Sequence, residues 1–260
     1  MPHRSARLGV TVPVLAALAV LGLVGGIGIT ALGPGGVLPT IGLFALTGLS
    51  PAEVAGTAIV THVATGALAT AAYTRSGQLR QPQTRRTALV LAGSAVLGTP
   101  AGVLLNTLMS HRLFGIILGV LVALVAALVW YRERRRPAGS ASHPPTAQVA
   151  GLGLAVSCAA GIVGVGGPML TVPLLIALGV PVLESLAAAQ MQSIVIAGVG
   201  TLGDLAHGAI DWPLAAIVGL PELAGVLLGW KLAHALPTRI LKTALIVTLF
   251  ALAPYLALHG

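Results

Sequence analysis

Ten apolar stretches recur along the 260 residues, at roughly 8–32, 36–49, 52–73, 87–106, 113–131, 147–166, 169–180, 183–203, 212–235 and 240–258. Apolar runs of about 19 residues or more match a hydrocarbon core of about 30 Å at about 1.5 Å of helix per residue. Few other solvents would accept such a chain: 56% of the residues are hydrophobic, 8% are charged and the mean hydropathy is +0.98. This composition lies outside the soluble range and predicts an all-α, polytopic helical membrane protein in contact with the lipid bilayer. The runs 36–49 and 169–180 are too short to cross upright and read as half-helices, strongly tilted helices or re-entrant segments.

The 14 Lys and Arg against 6 acids, a net charge of +8, would suggest nucleic acid in a soluble chain. Here the basic residues sit at the ends of apolar runs and report topology instead, so no nucleic-acid partner is expected. Arg75, Arg80, Arg85 and Arg86 share one loop and Arg132, Arg134, Arg135 and Arg136 another, with two spans between, so both loops can face the cytoplasm. Trp130 and Tyr131 then fall at headgroup level. The lone Cys158 excludes an internal disulfide and reads as a small packing residue. Although Arg4 and Arg7 precede an apolar run with "ALA" at 17–19, the run is longer than an ordinary leader core and reads as a span.

Sliding the sequence by 131 residues lays "GPGG" (33–36) on "GVGG" (164–167) and pairs Gly48 with Gly179, Glu53 with Glu184, Thr70 with Thr201, Gly77 with Gly208 and Pro82 with Pro213. One gap-free register carrying a glycine pattern, a Glu and a Pro predicts two homologous repeats of four to five membrane segments, with Gly-rich broken helices. The repeats are read as 1–131 and 147–260, joined by a basic cytoplasmic linker at 132–146. If each short segment crosses, each half has five spans and the second is inverted; if the short segments are re-entrant, each half has four. The distribution of basic residues slightly favours inversion, which puts Lys231, Arg239 and Lys242 inside and Asp204 and Asp211 outside.

A helix interrupted by GxGG leaves backbone N–H groups unsatisfied, which membrane depth tolerates only where they line a cavity or meet a ligand. The helix that follows points its positive dipole end at the break, which suits an anion. Gly/Pro-interrupted segments at matching positions of two halves also point to a secondary transporter's binding site. The alternative is that the glycines merely allow close helix packing.

After the first short segment, Ser50, Pro51 and Glu53 read as N-cap, N1 and N3 of a capping box, so Glu53 and its counterpart Glu184 are read as structural caps. Thr57, Thr61 and Thr65 recur at helical spacing with His62 beside them, about 14 Å into the helix and near the bilayer midplane. In the second half Gln190, Gln192 and Ser193 lie at the same depth. His62 is a candidate ligand or proton carrier or, equally, a partner in an interhelical hydrogen bond. The threonines alone are expected to bond back to their own helix. Ser94 with His62 is the faint candidate for a membrane protease, and the seven scattered histidines offer a metal permease no ligand spacing. No enzyme activity, cofactor or metal is therefore expected.

The segment "GIVGVGGPMLTVPLLIALGV", its degenerate first-half copy "GPGGVLPTIGLFALTGLSPAEVAGTAI" and the arginine-rich central loop resemble the sulfite exporter TauE/SafE family, also called the 4-toluene sulfonate uptake permease family. The resemblance spans nearly the whole chain. It implies a secondary transporter of the bacterial inner membrane for sulfite, other organosulfur anions or carboxylates, with protons as coupling ion. Its motif falls on Gly33, Gly35 and Gly36, and on Gly164, Gly166, Gly167 and Pro173. Pro34 interrupts the first glycine run, and Pro39 lies three positions out of register with Pro173. The substrate-binding residues expected on these grounds are Gly33, Gly35, Gly36, Thr61, His62, Gly164, Gly166, Gly167, Gln190, Gln192 and Ser193. A non-transporting membrane scaffold and a metal-ion permease are the rival readings.

Overall fold

The computed structural model describes residues 11–110, 143–237 and positions 112–117, 119–121, 123, 124, 127, 240, 243 and 247. The aromatic belt at Trp130 and Tyr131, the arginines at 132–136, most of the linker, and Arg239 and Lys242 lie outside the described residues. The helices that build the interior are, in chain order, α1 (Val12–Ala31), α2 (Val37–Leu46), α3 (Pro51–Arg75), α4 (Pro82–Asn106), α5 (Thr146–Val163), α6 (Pro168–Ala177), α7 (Val182–Ala206) and α8 (Trp212–Ala235). Among the described residues there is no strand. All but α2 and α6 are long and apolar enough to cross a membrane.

Local sequence explains the boundaries. Proline stands in the first turn of α1, α3, α4 and α8, where its missing N–H has no intrahelical partner to lose. At the start of α3 the capping box is complete: the Glu53 N–H donates to Ser50 Oγ at 3.3 Å, and the Ser50 N–H donates to Glu53 Oε2 at 2.9 Å. The expected cap at Glu184 does not form. Pro181 occupies the N-cap of α7 and has no side-chain oxygen to offer, while Glu184 instead accepts a hydrogen bond from Thr84 Oγ1 of α4 at 2.9 Å. Glu184 is therefore a link between helices and not a cap.

Glycine controls how closely the long helices approach. Along α1, Gly22 lies against the Val218 backbone and Gly26 against the Glu222 carbonyl of α8, while Gly225 and Gly229 of α8 lie against Leu23 and Ile27 of α1. Between α4 and α5, Gly98 faces Leu154 and Ser157, Gly102 faces Cys158 and Gly161, and Gly153 faces Ser94. Cys158 thus packs at a helix crossing, and the Ser94 hydroxyl donates to its own helix at Val90 O, 2.8 Å, in an interface other than that of His62. Such small-residue seams let membrane helices gain van der Waals contact where no hydrophobic force favours association.

The order of these contacts fixes helix directions. Residue numbers rise together across α1/α8, α4/α5, α3/α8 (Thr61 with Gly219, Tyr73 with His234) and α4/α7 (Thr99 with Gly200, Val103 with Gly203). They oppose each other across α3/α7, where Gly66 meets Ile194 and Ile59 meets Gly200. Hence α1, α3 and α8 run one way, and α4, α5 and α7 run the other. The two halves also exchange partners: α1 packs on α8, and α5 packs on α4.

The short helix α2 doubles back along α1, with Gly35 against Gly28, Pro39 against Gly25, and Gly42 against Leu18 and Leu21. At ten residues it is about 15 Å long, half the depth of the hydrocarbon core. It carries the chain back so that α3 can begin at the end from which α1 started. Large apolar side chains stay exposed on the outside, among them Val20, Leu97, Leu104, Leu202 and Leu220. In water this surface would be a liability, whereas in a bilayer it is the lipid face.

The α1/α8 seam yields a first test. A Cβ at Gly26 would strike the Glu222 carbonyl, so Gly26→Ala should destabilise the detergent-solubilised protein by roughly 1–3 kcal/mol, as overpacking does. Gly93 faces open space, and Gly93→Ala should be neutral or stabilising by up to about 1 kcal/mol. Thermal unfolding of the two variants beside wild type measures both.

Candidate functional site

The first break begins where α1 ends. Leu32 and Gly33 both donate to Gly28 O, at 2.9 and 2.8 Å, and Gly33 turns the chain with φ +106°, a conformation that suits glycine. A 3₁₀ turn at Pro34–Gly36 then leads into α2. In the second break the Gly164 N–H donates to Ala160 O at 2.9 Å, and Gly164 has φ +67°. Among the described residues, no backbone hydrogen bond around that break uses the amide of Val165, Gly166 or Gly167 as donor. These consecutive amides precede the N-terminus of α6, where the helix dipole is positive.

Each break sits against the short helix of the other half. Gly33 lies against the Pro168 carbonyl and Val172 of α6, while the Gly164 carbonyl accepts from Thr40 Oγ1 of α2 at 3.2 Å. The two interruptions therefore meet inside the protein and not at the lipid surface.

His62, fully buried near the middle of α3, occupies the space between them. A Cβ at Gly36 would stand 3.1 Å from its Nε2, and one at Gly166 would stand 2.6 Å from its Cδ2 and 3.0 Å from Ser193 Oγ. Glycine at 36 and 166 is what makes room for the imidazole. His62 Nε2 and Ser193 Oγ are both buried with no hydrogen-bond partner among the described residues. Buried polar atoms are nearly always paired in finished structures, so two orphans around one point set this spot apart.

The other expected residues divide by role. Gln192 is fully employed, accepting from Thr171 Oγ1 at 2.5 Å and donating to Ser157 Oγ at 3.2 Å, so it ties α5, α6 and α7 together beside Gly167. Gln190 donates to Ile29 O of α1 at 2.8 Å and leaves its Oε1 unpartnered. Thr61 donates to Ala58 O at 2.9 Å and Thr65 to Thr61 O at 3.1 Å, so both hydroxyls bond back to their own helix. Thr61 Oγ1 is also 3.2 Å from His62 Nδ1, and Thr57 accepts from the Asp211 N–H at 2.9 Å. Gly33 and Gly164 make turns and Gly35 permits close packing on Gly28, whereas Gly36, Gly166, His62 and Ser193 converge on one point.

Sequence reasoning missed Glu222. It lies on α8, fully buried, with Oε1 3.4 Å from His62 Nδ1 and neither carboxyl oxygen hydrogen-bonded to a described residue. The signal was present: "GLPELAG" places an acid, directly after a helix-interrupting proline, in the centre of the 212–235 run. The duplicated glycines give no pointer to it, because its position has no acidic counterpart in the first half. Among the described residues no three His, Cys, Asp or Glu side chains come together to hold a metal ion.

Comparisons with known proteins place this geometry in context. The sequence model of the sulfite exporter TauE/SafE family matches residues 18–256. A protein of Sinorhizobium sp. described as "Probable membrane transporter protein ORF9" is 32% identical over 93 residues, a segment that covers 36% of each chain and so little more than a third of that relative's length. No solved structure matches. With most of the chain matched and its long helices suited to the bilayer, the chain belongs to the sulfite exporter TauE/SafE family and is a multi-pass membrane protein.

Proposed function

We propose that the protein is a secondary transporter of small anions, sulfite or other organosulfur and organic acid anions, across the bacterial inner membrane. Its two halves act as inverted repeats that rock about a site at the paired helix breaks. The observation that carries this reading is the convergence of His62 Nε2 and Ser193 Oγ, buried and unpartnered, beside Gly36 and Gly166. The Val165, Gly166 and Gly167 amides supply donors of fixed direction, and the α6 N-terminus supplies a favourable dipole for negative charge. With one imidazole and no Lys or Arg at that point among the described residues, the site suits a solute that is held and then released.

The test is counterflow of labelled sulfite, thiosulfate, sulfoacetate and a carboxylate control into proteoliposomes of the purified protein. Saturable uptake of a sulfur oxyanion is expected, and it should disappear in Gly166→Leu, whose side chain would strike His62 and Ser193. Ser193→Ala removes a donor to a charged ligand and should raise the half-saturating concentration about tenfold or more. Absence of flux for every anion, with wild type monodisperse and folded, would contradict the proposal.

A further inference from the structure

Glu222 and His62 form a buried pair between α8 and α3. The α1/α8 glycine seam holds the Glu222 backbone against Gly26, while its carboxyl reaches the opposite way to His62. Pro221 lacks an N–H and so leaves the ladder of α8 interrupted directly before this residue.

The neighbours of His62 Nδ1 bear on which ring nitrogen carries the proton. The Thr61 hydroxyl donates to Ala58 O, so it offers His62 Nδ1 only a lone pair, and a Glu222 carboxylate on the same nitrogen is also an acceptor. Beside a Glu222 carboxylate, Nδ1 therefore bears hydrogen. Neutral His62 in that state turns a bare Nε2 lone pair toward Gly36 and Gly166, which repels an anion. Only the imidazolium, with hydrogen on both nitrogens, donates there.

We propose that Glu222 is a positioning residue that keeps the His62 Nε2 proton in place, and that the two side chains together take up one proton with each anion bound. This rests on the anion-transport reading above. Buried charge is tolerated only when compensated. Empty, the pair shares one proton and is neutral overall. When an anion arrives at Nε2, one further proton from the same aqueous side binds the pair. The pair then carries one positive charge against the anion, and both leave together on the other side.

No other titratable group competes at this point among the described residues. α1, α2, α6 and the two breaks carry none; α3 presents His62, and α7 presents Gln190, Gln192 and Ser193. Glu184 is held by Thr84, and Asp204 lies beside Gly56 near the end of α7. At the far end of α3 and α8, the His234 ring lies tilted against Tyr73 and Trp230. Glu53 and Asp211 sit at helix N-termini, and Arg75 and Lys231 sit near helix C-termini.

Calorimetric titration of the purified full-length protein with methanesulfonate and with ethanesulfonate, monoanions that do not change charge near neutral pH, tests this. Running each titration in two buffers of different ionisation heat counts the protons. Wild type is expected to take up one proton per anion and, by linkage, to lose affinity about tenfold per pH unit above its acid plateau. Glu222→Gln, whose amide resembles the protonated acid, should move that decline to lower pH by about one unit or more, and Glu222→Asp should move it back. A purely structural role would instead scale affinity equally at every pH. Anion binding by wild type without proton uptake, or a Glu222→Gln decline at the wild-type pH, overturns the proton assignment and leaves the anion site standing. Binding of neither anion at any pH overturns the anion site itself.

Discussion

An amide that finds no carbonyl cannot be left facing hydrocarbon, and the rest of this architecture follows from that constraint. Each half of the chain interrupts an apolar segment with glycine, and each interruption is enclosed by the short helix of the other half. The exchange of partners, α1 on α8 and α5 on α4, surrounds the breaks with helices whose lipid faces carry the exposed leucines and valines. The Val165, Gly166 and Gly167 amides donate to no backbone carbonyl among the described residues, and they lie inside the protein and not in lipid.

Much of the fold was legible because membrane physics leaves few choices. The long spans follow from apolar runs of the right length, and the start of α3 follows from Ser50, Pro51 and Glu53. Gly33 and Gly164, and Gly77 and Gly208, all adopt positive φ, so those aligned glycines mark turns that a side chain would strain. The pairing of Gly48 with Gly179 has no such echo, since only Gly179 adopts positive φ. Glu184 shows where register misleads: without a Ser at the N-cap, the same acid turns sideways to Thr84 and joins two helices. Helix direction needed the order of interhelical contacts, which no single segment encodes.

The site was legible in part for a similar reason. His62 and Ser193 announced themselves as polar residues at midplane depth, but depth alone does not distinguish a ligand from a brace. Only the hydrogen-bond inventory separates Gln192, whose amide is spent on Thr171 and Ser157, from Ser193, whose hydroxyl is unspent. Glu222 stands outside the repeat pattern, so symmetry gave no cue to it.

The most direct measurement is anomalous diffraction at the selenium edge from crystals grown with selenite, a close analogue of sulfite. A selenium peak between Gly36 and Gly166, within hydrogen-bond reach of His62 Nε2, Ser193 Oγ and the Gly166 amide, is the predicted result. A peak confined to the basic loops, or none at saturating selenite, would contradict the claim that the paired helix breaks form an anion site.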